Sequence, residues 1–218
     1  MALLAAAVLS TLSLGHAAGS SHEIARVHAP VALLARPGGA LVARVGPQTE
    51  LGSPQTLSVV ARSGRWLKVT NERLPTGAEA WVDGASPRLS LTRTSLSIVV
   101  HLDAKRLELR SGDRILRRFT IGVGSASSPT PLGRFAVTDK AAGAAYGPSY
   151  GCCILALTAH QTRLPAGWHG GDRVAIHGTD AAWTVGRAAS AGCIHAAAAD
   201  LRSLMRVVPL GTPVSIRR

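Results

Sequence analysis

Short apolar runs, broken again and again by glycine, proline and asparagine, leave this chain little to fold into except strands. Between residues 24 and 90 the runs VALLA, ALVARV, TLSVVA, WLKV and AWV alternate with RPGG, GP, RSGR, NERLPTG and DGASP. Runs this short suit strands, and the breakers between them mark turns roughly every eight to twelve positions. The pattern predicts a small all-β barrel over 24–90, with Trp66 and Trp81 as core anchors. No internal repeat or low-complexity tract interrupts it.

The stretch SPRLSLTRTS (86–95) reads as a polar connection, and a second domain is expected over 94–218. There SLSIVVHL and RLELRSGDRILRRFTIGVG read as strands around a Ser-Gly-Asp turn. A Pro/Gly loop, PTPLGRFAVTDK, leads into another strand, and DRVAIHGT is a strand ending at His177. CIHAAAADLRSLMRVV fits a helix with Ile194, Leu201, Leu204 and Met205 on one face and Ser190 at an N-cap. The fold class expected is mainly β, a small barrel followed by a β-sandwich with one helix after Cys193.

The length of 218 residues and an apolar fraction of 46% give two such domains real cores. The net charge of +12 suits an anionic setting. Its arginines and lysines are scattered, with neither a basic arm nor a basic patch interleaved with aromatics, so nucleic acid is not the expected partner. Residues 1–14 are almost wholly apolar and run into Gly15-His16-Ala17-Ala18. That pattern predicts a signal peptide over 1–20, although no lysine or arginine precedes the apolar run. The run is too short to span a bilayer, so no membrane span is expected after processing. The expected location is outside the cytoplasm, in the periplasm or cell wall, as a monomer.

Three cysteines are an odd number for an exported chain. Cys152 and Cys153 are adjacent, and read as small apolar residues or as a strained vicinal bridge. Cys193 could be a buried small hydrophobe, half of a disulfide or a nucleophile. His177 ends an apolar strand and Cys193 follows sixteen positions later. Placed in the first turn of the helix, Cys193 would have its thiol pKa lowered by the helix dipole and by the imidazole. The N–H groups of Ala191, Gly192 and Cys193 could converge on an oxyanion, with Gly192 leaving the backbone accessible. His160 and His169 lack the spacing of metal ligands, and His101 reads as a plain strand residue.

IHGT, then about a dozen residues, then Ser-x-Gly-Cys-Ile resembles the signature of the L,D-transpeptidase (YkuD-type) family. RLELRSGDRILRRFTIGVG, PTPLGRF and the closing GTPVSI extend the resemblance to about residues 94–217. LLARPGGALVARVG and GRWLKV resemble the bacterial SH3-like modules of exported wall enzymes. The family resemblance implies Cys193 as nucleophile on a peptidoglycan stem tetrapeptide and His177 as general base and then acid. It implies Gly178 as the carbonyl that orients His177, Ser190 as loop support, and Ala191, Gly192 and Cys193 as oxyanion donors. The product would be a 3→3 cross-link, with no metal or cofactor.

This chain departs from the family pattern at Ala191, usually His or Asn, and at His195, usually Arg or Asn. His195, Tyr146, Tyr150, Trp183 and Thr179 are expected to contact substrate. Two other readings stand beside the transpeptidase: an L,D-carboxypeptidase that uses water, and a catalytically degenerate wall-binding protein.

Overall fold

The computed structural model describes residues 21–218; the expected signal peptide lies outside them. The N-terminal module contains β1 (His22–Val27), β2 (Val31–Leu34), β3 (Leu41–Val45), β4 (Thr56–Ser63), β5 (Trp66–Thr70), β6 (Ala80–Asp83) and β7 (Leu89–Thr94). They form one sheet in the order β3-β2-β6-β5-β4-β1-β7, all antiparallel. Alternation sends Leu33, Leu57, Leu67, Val69 and Val82 inward. It also overturns the expectation for Trp66 and Trp81. Their neighbours Leu67 and Val82 take the buried face, so the tryptophans are only half-buried. The Lys68 ammonium lies 5.9 Å from the Trp81 ring. The segment expected as a connection holds β7, which pairs with β1 from His22↔Thr94 to Val27↔Leu89. The second edge of β1 needs backbone partners, and this polar strand supplies them.

The second module contains β8 (Leu96–His101), β9 (Arg106–Ser111), β10 (Arg114–Gly124), β11 (Gly133–Ala142), β12 (Cys153–His160), β13 (Arg173–His177), β14 (Ala188–Ser190), β15 (Ile194–Ala196) and β16 (Pro213–Arg217). Their order is β14-β10-β15-β13-β12-β11-β16-β8-β9. β10 pairs with β9 through Arg114–Thr120, then with β15 and β14 through its last residues. One long strand thereby joins both ends of the sheet around a core that includes Ile98, Leu107, Ile121, Leu155, Ile176 and Ile194.

The only α-helix among the described residues, α1 (Ala198–Val207), buries Leu201 and Leu204 in that core. It starts later than expected. Ile194 pairs with Ile176, is fully buried, and belongs to β15 rather than to the helix face. The N-cap is Ala197, with no side-chain capping bond, so Ser190 has another role. No helix among the described residues is long and apolar enough to cross a membrane.

Candidate active site

β13 and β15 run parallel, with His177 directly opposite His195. Cys193 precedes β15 by one residue, two before His195. The two-residue period of extended chain brings Cys193 and His195 to one face, and the strand register sets His177 beside them. The His177 and His195 ring centroids are 4.8 Å apart, and Tyr150 lies 4.9 Å from His177. A cavity of about 310 Å³ opens here, lined by Cys193, His177, His195, Tyr150, Gln161 and Arg173 among others.

The loop before Cys193 is held by its own side chains. Ser190 Oγ donates to the Cys193 carbonyl (2.5 Å) and accepts from the Gly192 N–H (3.1 Å). Ser190 thus ties the loop before Cys193 and does not cap the helix. The Gly192 N–H is thereby engaged inside the loop. Gly192 has φ +119°, and a Cβ there would lie 1.9 Å from Gln161 Nε2. Gln161 Nε2 donates to the carbonyls of Pro129 (3.0 Å) and Ala191 (3.1 Å). Thr130 Oγ1 donates to the Gly192 carbonyl at 2.9 Å and accepts from the Gly124 N–H at 2.8 Å.

His177 Nδ1–H donates to the Gly178 carbonyl at 2.5 Å, so neutral His177 presents an unprotonated Nε2. Burial, then the neighbouring His195, lowers its pKa to about 4, against the opposing Gly178 hydrogen bond. Thr184 Oγ1 donates to the Ala181 carbonyl (2.8 Å), so its 2.7 Å contact with His195 is a bond received from Nδ1–H. Neutral His195 therefore also carries its lone pair on Nε2, and burial holds its pKa down against the nearby Asp180. It offers an acceptor, not the cation or amide donor usual in the family at this position.

The Cys193 thiol faces the Arg173 carbonyl at 3.9 Å. Burial raises its pKa, with a contact to the Ala175 backbone pulling weakly the other way. This corrects the expectation of a lowered thiol pKa. That expectation needed the helix terminus, and α1 begins only at Ala198. The resting pair is a neutral thiol and a neutral imidazole.

Of the other residues expected at the site, Thr179, Ser190 and Ala191 line the cavity. Gly178 and Gly192 are not among its lining residues. Tyr146 stands outside, its ring 6.1 Å from Tyr150, and Trp183 is 62% exposed and outside the lining. Sequence reasoning missed Thr184, and also Gln161, Arg173 and Thr130, which have partners far away along the chain. All three cysteines are free, and Cys153 opens β12 inside the core. Among the described residues no group of three His, Cys, Asp or Glu side chains is placed to hold a metal.

The sequence model of the L,D-transpeptidase catalytic domain, YkuD, matches residues 95–216, more than half of the chain. The chain belongs to the YkuD L,D-transpeptidase family. Its relatives include the YkuD proteins of Bacillus licheniformis and Bacillus subtilis, 33% and 32% identical over 119 and 121 residues. These matches cover 55% and 56% of this chain and 64% and 65% of those proteins, so just under two thirds of the relatives' length is spanned. Among solved structures, an L,D-transpeptidase from Mycobacterium smegmatis is similar over 74% of this chain and 82% of that one, at 19% identity and a TM-score of 0.47. The YkuD match includes Cys193, His177, β12 to β15 and all but the last residue of β16.

Proposed function

We propose that this protein is an exported peptidoglycan L,D-transpeptidase that forms 3→3 cross-links through a thioester on Cys193. The observation that carries the reading is the His177–Gly178 bond: it fixes the imidazole tautomer with a basic Nε2 in the cavity that Cys193 also lines. In the first half-reaction Cys193 Sγ attacks the carbonyl of the penultimate residue of a donor stem tetrapeptide, and His177 Nε2 takes the thiol proton. The oxyanion rests on the N–H groups of Ala191 and Cys193. Collapse breaks the C–N bond, and imidazolium gives its proton to the departing D-Ala amine. In the second half-reaction the side-chain amine of another stem peptide attacks the thioester. His177 takes the amine's proton, the amide forms and the thiol is regenerated.

Both pKa shifts oppose a preformed thiolate–imidazolium pair. The proton therefore moves as the carbonyl is attacked, and the unreacted thiol is protected from adventitious electrophiles. The N-terminal module, read as SH3-like, would anchor the enzyme to the wall, and the +12 charge favours that anionic surface. No cofactor enters these steps.

The test is incubation with a disaccharide tetrapeptide, followed by mass spectrometry. Dimers lacking one D-Ala, formed by the parent protein and not by Cys193→Ala, are the expected result. Tripeptide alone would replace the reading with an L,D-carboxypeptidase, and unchanged substrate would replace it with a wall-binding protein.

A further inference from the structure

We propose that the N-terminal module is a working part of the catalytic site, because it grips the closing rung of the β12–β13 hairpin, with Arg173 as the positioning residue. This rests on the transpeptidase reading only for the effect on turnover. The rung is His160↔Arg173, and Gln161 N–H donates to the Asp172 carbonyl just beyond it. The loop that the rung closes, 161–172, supplies Gln161, Leu164, Trp168 and Asp172 to the cavity wall.

Both halves of the rung are fastened to the N-terminal module. On the His160 side, Thr76 Oγ1 donates to the His160 carbonyl and accepts from the His160 N–H, each at 2.8 Å. His160 Nε2 donates to the Glu72 carbonyl at 2.6 Å. On the Arg173 side, the guanidinium donates to Glu50, to Thr138 Oγ1 (2.7 Å) and to the Leu157 carbonyl (3.0 Å), with Asp139 at 3.6 Å. Thr49 donates to that same buried Asp139, and Leu51 packs on Ile154, Ala156 and Ala175 beside Cys193. Three consecutive residues of the N-terminal module, Thr49, Glu50 and Leu51, thus hold Asp139, Arg173 and the apolar cluster against which Cys193 also packs.

Two parts of the site depend on this grip. The Arg173 carbonyl is the acceptor that the Cys193 thiol faces, so its position sets where Sγ rests. Gln161 follows His160 directly and tethers Ala191, one of the two oxyanion donors. An anchor joined only by a linker would need none of these contacts. A fork of three donors is required at Arg173, and lysine cannot reproduce it.

The test uses the full chain carrying Glu50→Gln and Thr76→Val, singly and together, neither of which lines the cavity. The double variant is expected to lower kcat about tenfold, the scale of a small misplacement of catalytic groups. Two readouts need no substrate. The rate of Cys193 alkylation by iodoacetamide should change at least threefold, and amide exchange in 161–172 should quicken, while the rest of the β11–β16 sheet keeps its protection. Should the double variant not fold, Glu50→Gln alone, at a half-exposed side chain, gives the same readouts at smaller size. Unchanged kcat, alkylation and exchange in the folded variants would overturn the proposal. If the parent protein shows no turnover, the transpeptidase reading falls, while alkylation and exchange still decide the grip. Exchange that quickens throughout the molecule would also overturn it, since that reports general loosening.

Discussion

Gly192→Ala puts the loop geometry to its sharpest test. The new Cβ would lie 1.9 Å from Gln161 Nε2 and 2.9 Å from Cδ. Gln161 cannot swing away freely, because its amide holds the Pro129 and Ala191 carbonyls. Losing both bonds costs about 1 kcal/mol each. A non-glycine residue at φ +119° adds about 1–3 kcal/mol of backbone strain. The variant is therefore expected to lose about 3–5 kcal/mol of stability, a drop in Tm of about 10 °C for a chain this long. Turnover should fall about a hundredfold, because Ala191 and Cys193 move with the loop. A double-mutant cycle with Gln161→Ala isolates the clash: Gly192→Ala should cost about 2 kcal/mol less in the Gln161→Ala background, leaving the strain alone. Denaturant unfolding and steady-state turnover of the four proteins measure it. A Gly192→Ala protein with parental Tm and turnover, or strictly additive losses, would refute the packing argument.

Three further outcomes follow from the same structure. His177 is held at about 4, below its ordinary 6.5, so in that interval the unfolded chain binds a proton that the folded one excludes. Stability should fall by about 3 kcal/mol as pH drops from about 6.5 to about 4, and His177→Asn should remove that part of the slope; a flat parental profile in urea titrations would contradict it. Cys193 alkylation should keep rising with pH beyond the ordinary thiol value of 9.0, because burial disfavours the thiolate; a plateau near neutrality would reveal a preformed ion pair. Glu108 is 2% exposed, and Arg110, then His101, hold its carboxyl down at about 2 against the opposing effect of burial. Glu108→Gln should cost about 1 kcal/mol, because the cations around it are partly solvated, and an unchanged urea midpoint would show the cluster to be idle.

The sequence revealed what depends on local pattern. β2 to β6 follow the apolar runs and their Gly/Pro breaks, and His177 ends its strand as read. Cys193 and His177 were legible through their spacing in a family motif. β7 was hidden because its burial is slight, and only the β1 edge makes it a strand. β15 was hidden because it has three residues and runs straight into an alanine-rich helix former. That one misreading produced the mistaken helix-dipole effect at the thiol and the mistaken cap at Ser190. Arg173 and Gln161 were beyond local reading, since their partners lie 123 and 30 positions away. Residue type alone also misplaced the aromatics: Trp183 looked like a groove wall but faces solvent.

The central claim is that Cys193 carries the acyl group. Its most direct measurement is the intact mass of the protein after acid quench from a tetrapeptide donor whose side-chain amine is acetylated. With no acceptor amine present, the parent protein should gain the mass of the donor less D-Ala, mapped to the Cys193 peptide and absent in Cys193→Ala. An unmodified parent mass over the full time course, with no D-Ala released, would contradict it.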